Sequence, residues 1–157
     1  MKGSQSVAKA VFYRIVAPTD FSPCAEAAWA MAQRLASAFR SELILVHALV
    51  EPGIWGPLHM DQAREVYDSA RGRATEMLEN WAEDARRKGL SVRLALRTGV
   101  PWQEIVDLAT DERADLVVIG TYGRSGMNRL LLGSVADRVV RLAPCPVLTV
   151  REKYHGT

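Results

Sequence analysis

Cysteine is scarce in this sequence. With two in 157 residues, Cys24 and Cys145, there is no disulfide framework and no zinc-type cluster. Reduced thiols of a cytoplasmic protein are the simplest reading. Three histidines, His47, His59 and His155, are spread along the chain with no metal-ligand or Ser-His-Asp spacing around them. Charge of one sign is not in excess. A formal net charge of +2 gives no electrostatic footprint for nucleic acid, and no basic helix or aromatic–basic cluster stands out. No apolar run approaches the length of a membrane span, and the short polar stretch 1–10 has no signal-peptide core. Repeats and low-complexity segments are also missing. The phosphate-binding Gly-Lys-Ser/Thr is absent, and so is the Gly-x-Gly-x-x-Gly dinucleotide fingerprint.

Nearly half of the residues are apolar, enough for a core of one domain. Residues 1–10 read as a leader, 11–151 as one domain and 152–157 as a tail. Val11–Ala17 reads as a strand, rich in β-branched and aromatic residues. Ser22 is a good helix cap and Pro23 suits the first helical position. The helix that follows runs to Phe39, with an apolar stripe through Ala25, Ala28, Trp29, Ala32, Leu35, Ala36 and Phe39. Residues 42–50 are almost continuously apolar and read as a central strand covered on both faces. After a loop with strong breakers, a long helix spans 60–88 and stops at Gly89. The third strand, 90–98, alternates apolar and polar residues, and its arginines discourage stray pairing, so it reads as an edge. Gly99-Val-Pro-Trp opens a helix to about Arg113. Asp115–Ile119 is a strand, 134–142 a helix, and 146–150 a short last strand.

This alternation predicts an α/β fold: an open, five-stranded parallel sheet in the order 3-2-1-4-5, Rossmann-like, with helices on both faces. The topological switch then falls between strands 1 and 4, where ligands bind outside the carboxyl ends. Those ends are Ala17-Pro18-Thr19-Asp20 and the stretch from Gly120-Thr121 onward. A plain strand-to-helix connection needs about 2–6 residues. Here thirteen separate Gly120 from Ser134. With glycines at 120, 123 and 133, the stretch reads as a loop that cradles an anion, usually phosphate, at a helix N-terminus. Ser134, with Asp137 three residues on, resembles a capping-box start. A flexible turn is the competing reading of the glycines.

The spacing Gly120-x2-Gly123-x9-Gly133-Ser134 closely resembles the universal stress protein family in its ATP-binding branch. The resemblance covers about Tyr13 to Val150 and implies the same fold. It implies that Gly120 and Gly123 let backbone approach ribose and phosphates, and that Gly133, Ser134 and Val135 supply N–H groups to the phosphates. Arg124, Ser125 and Arg129 are further candidate donors within the loop. Asp20 matches an aspartate near the nucleotide and its Mg²⁺; its other reading is turn-making before the helix. Ala17 and Val46 are candidate walls for adenine, with His47 taking the role if the register slips by one. Gly99 and Val100 close the same side. Core packing and a turn are the competing readings of Val46 and Gly99. Homodimerisation through strand 146–150 is implied as well.

The expected function is therefore ATP binding with Mg²⁺ by a stress-response or signalling module, with at most slow hydrolysis or autophosphorylation. No general base or P-loop lysine is evident. Ser125 and Ser134 are the first acceptors to consider. The alternatives are a nucleotide-independent interaction module and a nucleotidyl-transfer enzyme. The latter would ordinarily carry its glycine cluster after strand 1, where this chain has Pro-Thr-Asp.

Overall fold

Five strands and four helices alternate along the chain: β1 (Arg14–Pro18), α1 (Pro23–Phe39), β2 (Glu42–Leu49), α2 (Met60–Arg87), β3 (Ser91–Thr98), α3 (Pro101–Asp111), β4 (Leu116–Gly120), α4 (Ser134–Leu142) and β5 (Val147–Val150). The computed structural model describes residues 11–50, 60–122 and 132–152. All strand pairs are parallel and the order is β3-β2-β1-β4-β5, as the apolar second strand and the alternating third predict.

The period of two along β2 divides the core. Leu43 and Leu45 face α1 and α2, joining Ala28, Ala32, Leu78 and Ala82. Ile44 and Val46 face α3 and α4, joining Ile105, Leu108, Ala136 and Val139. A strand whose successive side chains are all buried must have a layer on each face, and this one does.

Element ends follow hydrogen bonding more closely than composition. β1 begins at Arg14 rather than Val11, because β2 supplies partners only from Glu42 onward. Val11 and Tyr13 are exposed beyond the sheet. Leu90, read from sequence as strand, instead closes the end of α2: its N–H donates to Ala85 O, and that of Gly89 (φ 83) to Arg86 O. α3 stops at Asp111, short of Arg113, whose φ of 50 turns the chain back toward β4. β4 starts at Leu116, and Asp115 before it receives the N–H groups of Tyr13 and Arg14 on Oδ2. Ser22 caps α1 as predicted, its hydroxyl accepting from Ala25 N–H at 3.2 Å.

The β3 arginines are engaged rather than loose. Arg93 bridges Glu42 and Glu112, each at 2.7 Å. The two carboxylates hold its guanidinium well above the usual value, Glu112 contributing most. In return Arg93 holds the Glu112 carboxyl below its ordinary range.

Candidate functional site

The crevice at the switch point is built from two chain reversals. The first follows β1. Pro18 is level with Val46 of β2, and Thr19 N–H extends that pairing to Val46 O at 2.8 Å. The chain then turns through Thr19–Ser22. Thr19 Oγ1 accepts from Phe21 N–H at 2.9 Å, and Asp20 Oδ1 accepts from Ser22 N–H at 3.0 Å. Asp20 thus performs its turn-making role, since short polar side chains readily mimic a backbone turn. Phe21 adopts φ 62, rare for a residue with a bulky side chain. Its ring lies 4.8 Å from the His47 ring and meets the Trp81 ring edge-on at 5.6 Å. His47 Nδ1 is 2.7 Å from Thr19 O, so that nitrogen carries the proton and donates to the carbonyl. His47 therefore fastens the turn, the structural role that a lone histidine near a strand end suggests.

The second reversal follows β4. Thr121 is buried and engaged at three atoms. Its N–H donates to Val150 O at 3.0 Å, its carbonyl accepts from Gly133 N–H at 2.6 Å, and its hydroxyl contacts Cys24 Sγ at 3.7 Å. The Thr121–Gly133 bond draws the start of α4 onto the end of β4. A Cβ on Gly133 would come within 3.2 Å of Thr121 O and of Tyr122 Cα, so a glycine is what permits this approach.

The helix start differs from the capping-box reading. Gly133, not Ser134, is the N-cap, and Ser134 is the first helical residue with an exposed side chain. Asp137 pairs with Arg141 one turn further along instead of folding back. With no side-chain cap on α4, the N–H groups of Ser134 and Val135 have no acceptor among the described residues. Gly133 N–H, one of the three expected phosphate donors, is already bonded to Thr121 O.

The expected adenine residues do not share a face. Ala17 lies buried toward α1 and α2, Val46 toward α3 and α4. Gly99 follows β3, with φ 149 and its N–H on Leu49 O, and a Cβ there would fall 2.5 Å from Glu104 Oε1. That conformation is what the turn reading of Gly99 requires. β2 and β3 run on together to Leu49 and Thr98, three residues past the level of Pro18. They stand about 10 Å above the end of β1 and wall the crevice on that side. Thr98 is tied to α2 through its hydroxyl, 2.6 Å from Tyr67 Oη.

Gly120 also acts inwardly. A Cβ there would meet the carbonyl carbon, the oxygen and the sulfur of Cys24, each at 3.0 Å. Its missing side chain lets the first turn of α1 rest on β4, where Cys24 Sγ donates to Val150 O at 3.3 Å. Gly123, Arg124, Ser125 and Arg129 lie outside the described residues. Sequence reasoning missed the Phe21–His47–Trp81 contacts and the Cys24–Thr121–Val150 cluster. A histidine two residues from Leu45 on the α2-facing side of β2 was the available signal for the former; nothing in the spacing pointed to the latter.

Among the described residues, no helix is long and apolar enough to cross a membrane, and no group of three or more His, Cys, Asp or Glu side chains could hold a metal ion.

Comparisons with known proteins agree with this architecture. Residues 12–151 match the model of the universal stress protein family. The chain is 34% identical to universal stress protein MJ0531 of Methanocaldococcus jannaschii, over 90% of this chain and 84% of that one. The solved structure of protein MJ0577, from the same organism, superposes with a TM-score of 0.84 at 30% identity, covering 92% and 99% of the two chains. The universal stress protein of Archaeoglobus fulgidus, solved in complex with dAMP, superposes with a TM-score of 0.64 at 25% identity, covering 89% and 98%. With the fold, the strand order and a family match across nearly its whole length, this chain belongs to the universal stress protein family.

Proposed function

We propose that this chain binds ATP with Mg²⁺ in the crevice between the carboxyl ends of β1 and β4, and serves as a nucleotide-dependent stress-response or signalling module. The observation that carries the reading is the uncapped start of α4. Two N–H groups at the positive end of a helix dipole lack an acceptor among the described residues, beside a strand end to which Gly133 ties them. The glycine spacing that frames this start, and the dAMP complex of the Archaeoglobus fulgidus relative, support an adenine nucleotide as the occupant. In this reading Ser134 and Val135 meet phosphate oxygens, and Gly123, Arg124 and Ser125 lie along the phosphate chain. Pro18, Thr19 and Asp20 line the opposite bank, with Gly99, Val100 and the upper part of β2 toward the base.

Asp20 is the one carboxylate of the Thr19–Ser22 turn, and one of its oxygens already serves Ser22 N–H. A single carboxylate suits Mg²⁺, which is commonly held by one or two carboxylates plus the phosphates of its substrate. Asp20 would hold the ion from the protein side, and the ion would offset phosphate charge. Slow hydrolysis or autophosphorylation on Ser125 or Ser134 is compatible with such a site; fast phosphoryl transfer asks for a positioned base. Two free thiols among the described residues suit a cytoplasmic setting. The outer edge of β5, with Leu148 exposed, suits pairing with a second copy.

Calorimetric titration of the purified protein with Mg·ATP, with anion-exchange analysis of nucleotide released on denaturation, tests the reading. Saturable binding that is lost in Gly123→Val supports it. Absence of both resident nucleotide and binding of added Mg·ATP would sink it and favour a nucleotide-independent interaction module. Turnover only with a second substrate would favour a nucleotidyl-transfer enzyme.

A further inference from the structure

At the opposite, amino end of the sheet, a depression of about 590 Å³ lies over the starts of β1, β2 and β3. Its walls come from both layers of helices. Arg40 ends α1 on one face of the sheet, and Arg113 follows α3 on the other. Only three non-glycine residues among those described have positive φ. One is Phe21 in the crevice; the other two are Arg40 (φ 56) and Arg113 (φ 50). Glycine is the usual occupant of such helix-end positions, and backbone held in this region by other residues tends to mark functional places.

Both carboxylates lining the depression already hold donors of the protein's own. Both oxygens of Glu42 are bonded, Oε1 to Arg93 and Oε2 to Arg14 and Arg93. Asp115 Oδ2 takes the two N–H groups of Tyr13 and Arg14. Ser41 Oγ donates to Phe12 O. The guanidinium groups of Arg40 and Arg113 and the hydroxyls of Tyr13 and Ser91 have no partner among the described residues, and all four residues are exposed around the same depression. Two forked cations with two hydroxyls, beside carboxylates that already hold donors of their own, match an anion carrying several oxygens and more than one charge.

We propose that this depression is a second ligand site, for a small phosphoanion of the diphosphate type, clamped between Arg40 and Arg113 across the amino end of the sheet. The site stands apart from the crevice and does not depend on the nucleotide reading.

Titration of the ¹⁵N-labelled protein with inorganic diphosphate, followed by amide shifts, tests the proposal. The expected result is saturable shifts at Arg40, Ser91 and Arg113, with half-saturation at or below about 1 mM. In the double variant Arg40→Gly/Arg113→Gly the affinity falls about tenfold or more. Glycine accepts the left-handed backbone, so this variant removes the guanidiniums while leaving both helix ends unstrained. The pair Arg40→Lys/Arg113→Lys keeps the charge but not the fork, and binds between the two. Shifts confined to Thr121, Ser134 and Val135 would overturn the proposal and assign the anion to the crevice. So would absence of saturable shifts, or affinity unchanged in the glycine variant.

Discussion

Gly120→Ala isolates a single contact. Gly120 does not have positive φ, so alanine meets no backbone penalty there. The added Cβ instead lands 3.0 Å from the carbonyl carbon, oxygen and sulfur of Cys24. Two of those three atoms are backbone in the first turn of α1, where Ser22 and Pro23 fix the chain. Relief therefore requires α1 to move off β4, which disturbs the Cys24–Val150 bond and the Thr121 contact together. Overpacking of this kind costs about 1–3 kcal/mol. In a chain of this length each kcal/mol lowers the melting temperature by about 2–4 °C, so the expected fall is about 2–12 °C. Melts followed by circular dichroism, with urea midpoints alongside, measure it. Cys24→Ala in the same background removes only the sulfur and restores less than half of the loss. A single variant that melts within about 1 °C of the parent, or a double variant fully restored, would refute the contact argument.

Three other outcomes follow from the structure. Ser22→Ala removes the hydroxyl that accepts from Ala25 N–H, and should cost about 0.5–2 kcal/mol in urea unfolding, with Ser22→Gly retaining part of the stability. Glu112 has a folded pKa below its ordinary 4.5, so its contribution is complete above that pH and is lost as pH falls through the folded value. Glu112→Gln should be less stable than the parent at neutral pH yet lose less between about pH 5 and pH 3, as urea midpoints across that range would show. Burial, helped by the negative charge of Asp115, pushes the Cys145 thiol above its usual value. Because the thiolate is the nucleophile, alkylation of Cys145 at pH 8 should run slower than that of free glutathione, and mass spectrometry over time resolves the two rates.

The strand order was legible because it follows from burial. Continuous apolar residues in β2 and alternation in β3 leave few right-handed arrangements. Ser22 and Gly89 were legible because their roles are local, set by a side-chain oxygen next to a helix start and by positive φ past a helix end. What stayed hidden depends on neighbours remote in sequence. β1 starts where β2 can pair with it, and β-branched composition could not move that point to Val11. Ser134 has the chemistry of a cap, but the extended backbone falls on Gly133, which is held by Thr121 at the end of β4. Gly120 was read as an approach toward ligand; the side where its Cβ would stand faces α1. Ala17 is level with Leu45, one residue short of Val46, so strand alternation turns Ala17 and Val46 to opposite layers. Phe21, Arg40 and Arg113 show no signature at all, since nothing in a sequence marks a left-handed residue that is neither glycine nor asparagine.

The bond between Thr121 and Gly133 has a consequence for how such a protein can vary. Thr121 and Gly133, on either side of positions 123–131, are fastened to each other, and Thr121 is fastened in turn to β5. Doubling the length of a closed loop adds only about 0.6 kcal/mol of closure entropy, and a joined base keeps any new geometry from being transmitted to the sheet. The position therefore behaves as a socket. Lineages, or an engineer, can lengthen or exchange what lies between Thr121 and Gly133 while the five strands beneath keep their register.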